Sequence, residues 1–447
     1  MKLTLIGGGG FRVPQIFEAL AAGEAAARVT ELCLYDTAPE RLEVMRAVLA
    51  QLAGSTPRPP RITVETDLDA ALRGAAFIFS AMRVGGAAGR IADERVALDL
   101  GVLGQETVGP GGLAYALRTL PAARRLAERA AVLAPEAWVI NFTNPAGMVT
   151  EAMRASLGDR VIGICDTPIG LMRRAVHAVG STPDAVDFDY VGLNHLGWLR
   201  RISVAGKDLL PALLANDAAL GQMEEARLMG LDWVRALGAV PNEYLYYYYF
   251  QREATERIRS SAETRGEFLE RQQAGFYRQA HLHPDSALEL WERTKHEREA
   301  SYMAESRPEE ERNGRQESDV EGGGYQGVAL DLMGGLTNGT AATMILNVAN
   351  RGTVAELPDD AVIEVVCDVD AAGVAARKVA PVRGDMLGLL QQVKAAEQLT
   401  LSASLHRDPV LAWRALAAHP LVDSVTVARK LLDTYRHSIP GVAAAFD

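Results

Sequence analysis

The stretch Lys2–Pro14, KLTLIGGGGFRVP, decides the fold. A short apolar strand runs straight into Gly7, Gly8, Gly9 and Gly10 and then into a helix, and the next apolar run, ELCLYD, closes on Asp36. Glycines at a strand-to-helix turn let backbone N–H groups and the helix N-terminus approach a pyrophosphate with no Cβ in the way. A carboxylate at the end of the second strand suits ribose hydroxyls and favours NAD over NADP. The spacing departs from G-x-G-x-x-G: counted from Gly7 the third place holds Arg12, and counted from Gly8 it holds Val13. A plain tight turn is the alternative for the glycines taken alone.

Outward from that turn, apolar strands alternate with amphipathic helices. The expected order is a helix near Pro14–Ala26, ELCLYD, a helix near Pro39–Ala53, RITVETD, a short helix, AAFIFSAM, a helix near Gly112–Ala134, WVINFTN, a helix after Pro145, and RVIGICD. Such alternation implies right-handed crossovers and a doubly wound parallel sheet, an α/β Rossmann-like domain expected over residues 1–168. From about Asp187 the pattern changes to strands of antiparallel character, a mainly helical region to about Arg312, three further strands (GVALDLMGGL, AATMILNVAN, AVIEVVCDV) and C-terminal helices. Residues 169–447 are therefore expected to form an α+β domain.

With 447 residues, 48% of them hydrophobic, the chain can bury a large core. The net charge of −11, with no dense Lys/Arg tract, gives no electrostatic reason for nucleic acid or an anionic membrane as partner. The apolar run at the N-terminus is too brief for a secretory signal and no stretch approaches a membrane span, so a cytoplasmic protein is expected. Cys33, Cys165 and Cys367 are odd in number and widely spaced, which argues against a disulfide framework. The strongly charged Glu292–Glu321 reads as a solvated helix and mobile loop rather than a recognition element.

Ligands of open α/β sheets sit at the carboxyl ends of the strands. Four polar clusters fall there: Arg83–Gly86, Gly104–Thr107, Asn141–Pro145 and Gly163–Asp166. Any one of them also serves as a structural cap; four on one edge favour a site. Cys165 and His195 form the plausible soft-donor pair for a divalent cation, against the alternative of a hydrogen-bonded core histidine. In the run Glu243–Phe250, EYLYYYYF, tyrosines at helical spacing suit a core or an interface, whereas a tyrosine acting as base needs a nearby cation to lower its pKa.

Taken together, the glycine run with Pro14, Arg83–Gly86 with Arg90 and Asp93-Glu94, GQETVGPGGLAYALRT, NFTNPAGMVTEA, GICDTP, GLNHLGW, the tyrosine cluster and Thr264–Glu267 (TRGE) resemble the NAD- and divalent-metal-dependent glycoside hydrolases of family 4 over essentially the whole chain. The resemblance implies Cys165 and His195 as ligands of Mn²⁺ or another divalent metal, Tyr244 as base and Asp166 as acid. It implies sugar contacts from Asn144 and Asn194, Glu106 beside the metal, and Arg265 on a phosphate. Arg90 is a second candidate for the anion. The implied chemistry is a redox-assisted elimination. Sugar C3 is oxidised with NAD as hydride acceptor, the acidified C2 proton goes to Tyr244, the C1 substituent leaves, water adds, and the hydride is returned. A homodimer or homotetramer is expected from the same resemblance.

NFTNPAG and GLNHL look more like the 6-phospho-β-glucosidase branch, while Asp166 directly after Cys165 looks more like the α branch. The elimination acidifies C2–H for either anomer. The favoured substrate is a small phosphorylated glycoside, a 6-phospho-β-glucoside, ahead of a 6-phospho-α-glucoside or an unphosphorylated or uronic glycoside. An ordinary NAD-dependent dehydrogenase and a silent sugar-phosphate sensor are the readings outside hydrolysis; neither accounts for Cys165, His195 and Tyr244 together.

Overall fold

A computed structural model describes residues 1–22, 29–301, 324–339 and 341–447.

The first half forms the expected alternation, with one further helix, α4, where the sequence predicts only a long glycine-containing connection: β1 (Lys2–Ile6), α1 (Val13–Ala22), β2 (Glu31–Tyr35), α2 (Pro39–Gly54), β3 (Arg61–Glu65), α3 (Leu68–Leu72), β4 (Ala75–Ser80), α4 (Gly86–Asp99), α5 (Gly109–Leu133), β5 (Trp138–Asn141), α6 (Ala146–Leu157), β6 (Val161–Gly163) and α7 (Thr167–Ala178). Strands β1 to β6 are parallel and lie in the spatial order β6-β5-β4-β1-β2-β3, the doubly wound order of a dinucleotide-binding sheet. The order reverses between β1 and β4, so their carboxyl ends open the crevice in which a ligand of such a sheet binds.

The sheet does not stop at β6. Strands β7 (Val186–Leu193), β8 (Leu196–Val204), β9 (Lys207–Asp208), β10 (Val240–Pro241), β11 (Ala342–Ala349), β12 (Val362–Asp370) and β13 (Gly373–Ala376) extend it. Asn347 of β11 pairs antiparallel with Gly163 of β6, and the order continues β11-β12-β7-β8-β10, giving 13 strands among the described residues. One apolar core spans both halves, with Leu3, Ile140 and Ile162 in the same cluster as Tyr190, Trp198 and Val365. The expected boundary at 168/169 thus falls at the start of α7, inside the shared sheet and core.

Two readings of the sequence are corrected. GVALDLMGGL, expected as a strand, lies within the helix Tyr325–Asn338. Its buried Val328, Ala329, Leu332 and Met333 recur every three to four residues, the period of a helix face rather than of a strand. The charged stretch from Glu292 is helical to Ala300 with Glu292, Arg293, His296 and Glu297 exposed as expected, but Thr294 within it is buried, next to the fully buried Trp291 that precedes the stretch and donates its indole N–H to the Phe11 carbonyl at 2.8 Å. The remainder of that expectation, residues 302–321, lies outside the described residues. Among the described residues no helix is long and apolar enough to cross a membrane.

Candidate active site

The glycine run makes a turn that other residues could not make. Gly7 and Gly8 both donate to the Tyr35 carbonyl, at 2.9 and 2.7 Å, which draws the turn against β2. Gly7 has φ +89°, and a Cβ there would meet the Ala81 carbonyl oxygen at 2.5 Å; one on Gly8 would meet the Leu34 backbone at 2.7 Å. Asp36 faces the same turn, its Oδ2 accepting from the Gly9 N–H at 2.9 Å and its Oδ1 from the Ala38 N–H at 3.1 Å. The Gly9 carbonyl accepts from Tyr277, whose ring lies under the Arg41 guanidinium at 4.6 Å.

A cavity of about 470 Å³ opens from Gly7 and Gly10 across the carboxyl ends of β1, β4, β5 and β6. It holds Arg90, Glu106, Asn144, Cys165, Asp166, His195, Tyr244 and Arg265, which come from seven separate segments of the chain. Cys165 follows β6, and Asp166 stands at the start of α7 with a carboxylate oxygen 3.6 Å from Arg12. His195 lies in the two-residue turn of the β7–β8 hairpin, where Leu193 pairs with Leu196, and takes φ +64°. Tyr244 sits in the short 3₁₀ turn Glu243–Leu245, whose Asn242 side chain accepts from the Tyr244 N–H at 3.0 Å. The Asn242 N–H donates to Gly197 of β8, so the same hairpin carries both rings. They stack with centroids 3.8 Å apart and planes 7° from parallel.

The donors suit a soft-to-borderline divalent cation. Burial holds the His195 imidazole down at about 4, against the pull of Asp166 and Glu106, so at neutral pH the ring is uncharged and able to offer a lone pair. Its Nδ1 and the Asn144 Oδ1 are buried with no hydrogen-bond partner. Burial, with the Glu364 and Asp166 carboxylates, pushes the Cys165 thiol well above its usual value, so a cation that takes it as thiolate must displace its proton. Among the described residues no cluster of three or more His, Cys, Asp or Glu surrounds the pair. An ion held there by Cys165 and His195 keeps open positions for oxygens of a bound molecule, as catalytic sites do.

Other expected contacts have protein partners. Asn194 does not line the cavity; its Oδ1 accepts from the Ala146 N–H at 3.2 Å and its amide donates to Glu364 at 3.4 Å, which ties the His195 turn to the loop carrying Asn144. The Glu106 carboxylate is gripped by Arg83 at 2.5 Å and Arg90 at 2.6 Å, and although burial opposes it, these two arginines bring its pKa down to about 2. Arg265 lines the cavity and donates to Ser301 and to the Arg298 carbonyl, at 2.8 and 3.0 Å. Within the tyrosine run, Tyr244 and Tyr247 reach the cavity. Tyr246 instead accepts from Arg257, and Tyr249 from Trp198.

The reading of the sequence missed the size of the basic wall. Among the described residues seven arginines line the cavity (Arg12, Arg41, Arg83, Arg90, Arg257, Arg265 and Arg298) against four carboxylates, an excess of three positive charges in a chain of net charge −11. Arg83 stood in a quoted cluster, but Arg298 lay in the stretch set aside as solvated, and no spacing rule links it to the glycine turn. A crevice with this charge on a dinucleotide-binding sheet edge takes anions.

Two family models match the chain. "Family 4 glycosyl hydrolase" matches residues 2–181 and "Family 4 glycosyl hydrolase C-terminal domain" matches residues 190–422. The chain belongs to family 4 of the glycosyl hydrolases. Among its family 4 relatives, the Bacillus subtilis (strain 168) protein named "Probable 6-phospho-beta-glucosidase" is 31% identical over 97% of this chain and 95% of its own. The "6-phospho-alpha-glucosidase 1" of Lacticaseibacillus paracasei is 28% identical over 97% of this chain and 96% of its own. The 6-phospho-beta glucosidase of Thermotoga maritima, solved with manganese, NAD+ and glucose-6-phosphate, superposes with a TM-score of 0.80 at 27% identity, covering 98% of both chains.

Proposed function

We propose that this chain is a 6-phosphoglucosidase that uses NAD and a divalent cation, Mn²⁺ or a similar ion, and that its preferred substrate is a 6-phospho-β-glucoside. The observation that carries the reading is the convergence of Cys165, His195 and Tyr244 on a cavity that runs to the glycine turn and has seven arginines in its wall. When bound, NAD supplies a reversible hydride acceptor and the cation supplies charge that acidifies the sugar C2–H.

The chain's own residues do the rest. Gly7 to Gly10 leave the backbone bare for a pyrophosphate, with Asp36 beside the turn on the ribose side. Cys165 and His195 hold the cation, and the Asn144 Oδ1, buried without a partner, accepts from a sugar hydroxyl. Tyr244, fixed face to face with His195, removes the C2 proton. Asp166, at the cavity wall beside Arg12, protonates the departing oxygen. Arg265 and Arg90 face the substrate's anion, while Asn194 acts from behind by holding the His195 turn. Support for the β anomer comes from NFTNPAG and GLNHL; the α reading is favoured by Asp166 following Cys165.

Release of nitrophenol from α- and β-linked 6-phosphoglucosides and their unphosphorylated counterparts, each with and without NAD and Mn²⁺, tests the reading. Cleavage of the phosphorylated β compound, lost on omitting either cofactor, is expected. Cleavage of the α compound alone overturns the anomer, and turnover of unphosphorylated glycosides alone overturns the phosphate. NADH accumulating in step with product overturns the hydrolase itself.

A further inference from the structure

Among the described residues, Arg298 is a cation of the cavity wall with no ion-pair partner. Arg12 has Asp166, Arg83 has Glu106, and Arg90 has both Glu94 and Glu106. Among the described residues the Arg298 guanidinium has no hydrogen-bond or ion-pair partner, and it rests 5.7 Å from the Phe11 ring, at the end of the helix Ala287–Ala300. Its backbone carbonyl accepts from Arg265, which places the two arginines on one corner of the cavity. Burial and the charges of Arg12, Arg265, Arg90 and Arg83 push its pKa well below the usual guanidinium range. Holding a cation there costs folding free energy, and an anion seated among these groups offsets that cost.

We propose that Arg298 is a specificity-determining residue that binds the phosphate monoester dianion of the substrate together with Arg265, a role that rests on the 6-phosphoglucosidase reading. The paired guanidinium groups present a fork matched to phosphate oxygens, as a lysine does not. The pyrophosphate of a bound dinucleotide is the other anion this cavity would take, and the test separates the two.

Glucose 6-phosphate and NAD binding are measured by calorimetry on the whole chain for the wild type, Arg298→Met and Arg298→Lys, with melting temperature as a check on folding. Loss of charge-assisted hydrogen bonds to the phosphate predicts about a 10- to 100-fold weaker glucose 6-phosphate affinity in Arg298→Met, with NAD affinity within about twofold and Arg298→Lys intermediate. The ligand-free melting temperature of Arg298→Met is expected to equal or exceed that of the wild type, because an unpaired cation has gone. The ratio of kcat/KM on phosphorylated to unphosphorylated glucosides falls with the affinity, which general damage to the fold does not produce. A wild type that does not bind glucose 6-phosphate overturns the phosphate reading and Arg298's role with it. A wild type that binds it, with Arg298→Met binding equally well, overturns Arg298 alone; weakened NAD with unchanged glucose 6-phosphate reassigns Arg298 to the dinucleotide.

Discussion

Arg118→Met removes one half of a salt bridge that holds the cavity's β4 side in place. Arg118 of α5 grips Asp93 of α4 through two bonds of 2.7 and 2.6 Å, with both side chains wholly buried. Its Nε also donates to the Val84 carbonyl at 2.9 Å, in the loop that carries Arg83 into the cavity. Breaking a buried pair from one side costs about 3–5 kcal/mol, because the other charge is left uncompensated. With an unfolding entropy of about 2 cal/mol/K per residue, a chain of this length unfolding as one unit loses about 3–5 °C in Tm.

The pH dependence gives that prediction a sign. Burial already raises the Asp93 carboxyl to about 7 against the pull of Arg118, and losing Arg118 raises it further. A carboxyl whose folded pKa lies above its unfolded value loses stability as pH rises from the unfolded value, near 4, through the folded one. The cost of Arg118→Met is therefore smaller at pH 5, where Asp93 is protonated, than at pH 8. Calorimetric scans of wild type and variant at both pH values measure it, and Asp93→Asn in the Arg118→Met background is expected to recover at least half the loss at pH 8. An equal or larger loss at pH 5, or no recovery in the double variant, refutes the argument.

Tyr244→Phe is expected to abolish exchange of the sugar C2 hydrogen with solvent deuterium, followed by NMR with NAD and Mn²⁺ present; exchange at the wild-type rate removes Tyr244 as the base. Glu106, whose pKa is depressed to about 2, stabilises the fold above its unfolded pKa and loses that contribution as pH falls toward 2. Glu106→Gln should thus cost on the order of 3 kcal/mol at pH 7 and progressively less under acid, as read from urea melts; a cost independent of pH contradicts the pairing. Gly8→Ala places a Cβ against the Leu34 backbone and is expected to lower stability by about 1–3 kcal/mol and weaken NAD binding, and unchanged Tm and NAD affinity would exclude this tight turn.

Local patterns in the chain determined a good deal. The strand–glycine–helix order of Lys2–Pro14 and the alternation that follows it specify a parallel doubly wound sheet, because period-2 and period-3.6 apolar patterns bury only in that arrangement. The same local rules misread GVALDLMGGL, a short apolar run whose burial on a helix face depends on what packs against it. Tyr244 was distinguishable from its neighbours only by resemblance, since five tyrosines in six residues carry no marker of which one meets His195.

Tertiary structure alone decided the electrostatics of the site. Asn194 turns into the protein toward Ala146 and Glu364, and Glu106 is shared between two arginines, because the partners come from segments far apart in the chain. Arg298 shows this most plainly: in the sequence it is one charge in a charged run, and in the fold it is a cation in a cavity already rich in arginine. A residue's charge is written in the chain, but the energy of that charge depends on burial and on neighbours that only folding brings within a few ångströms.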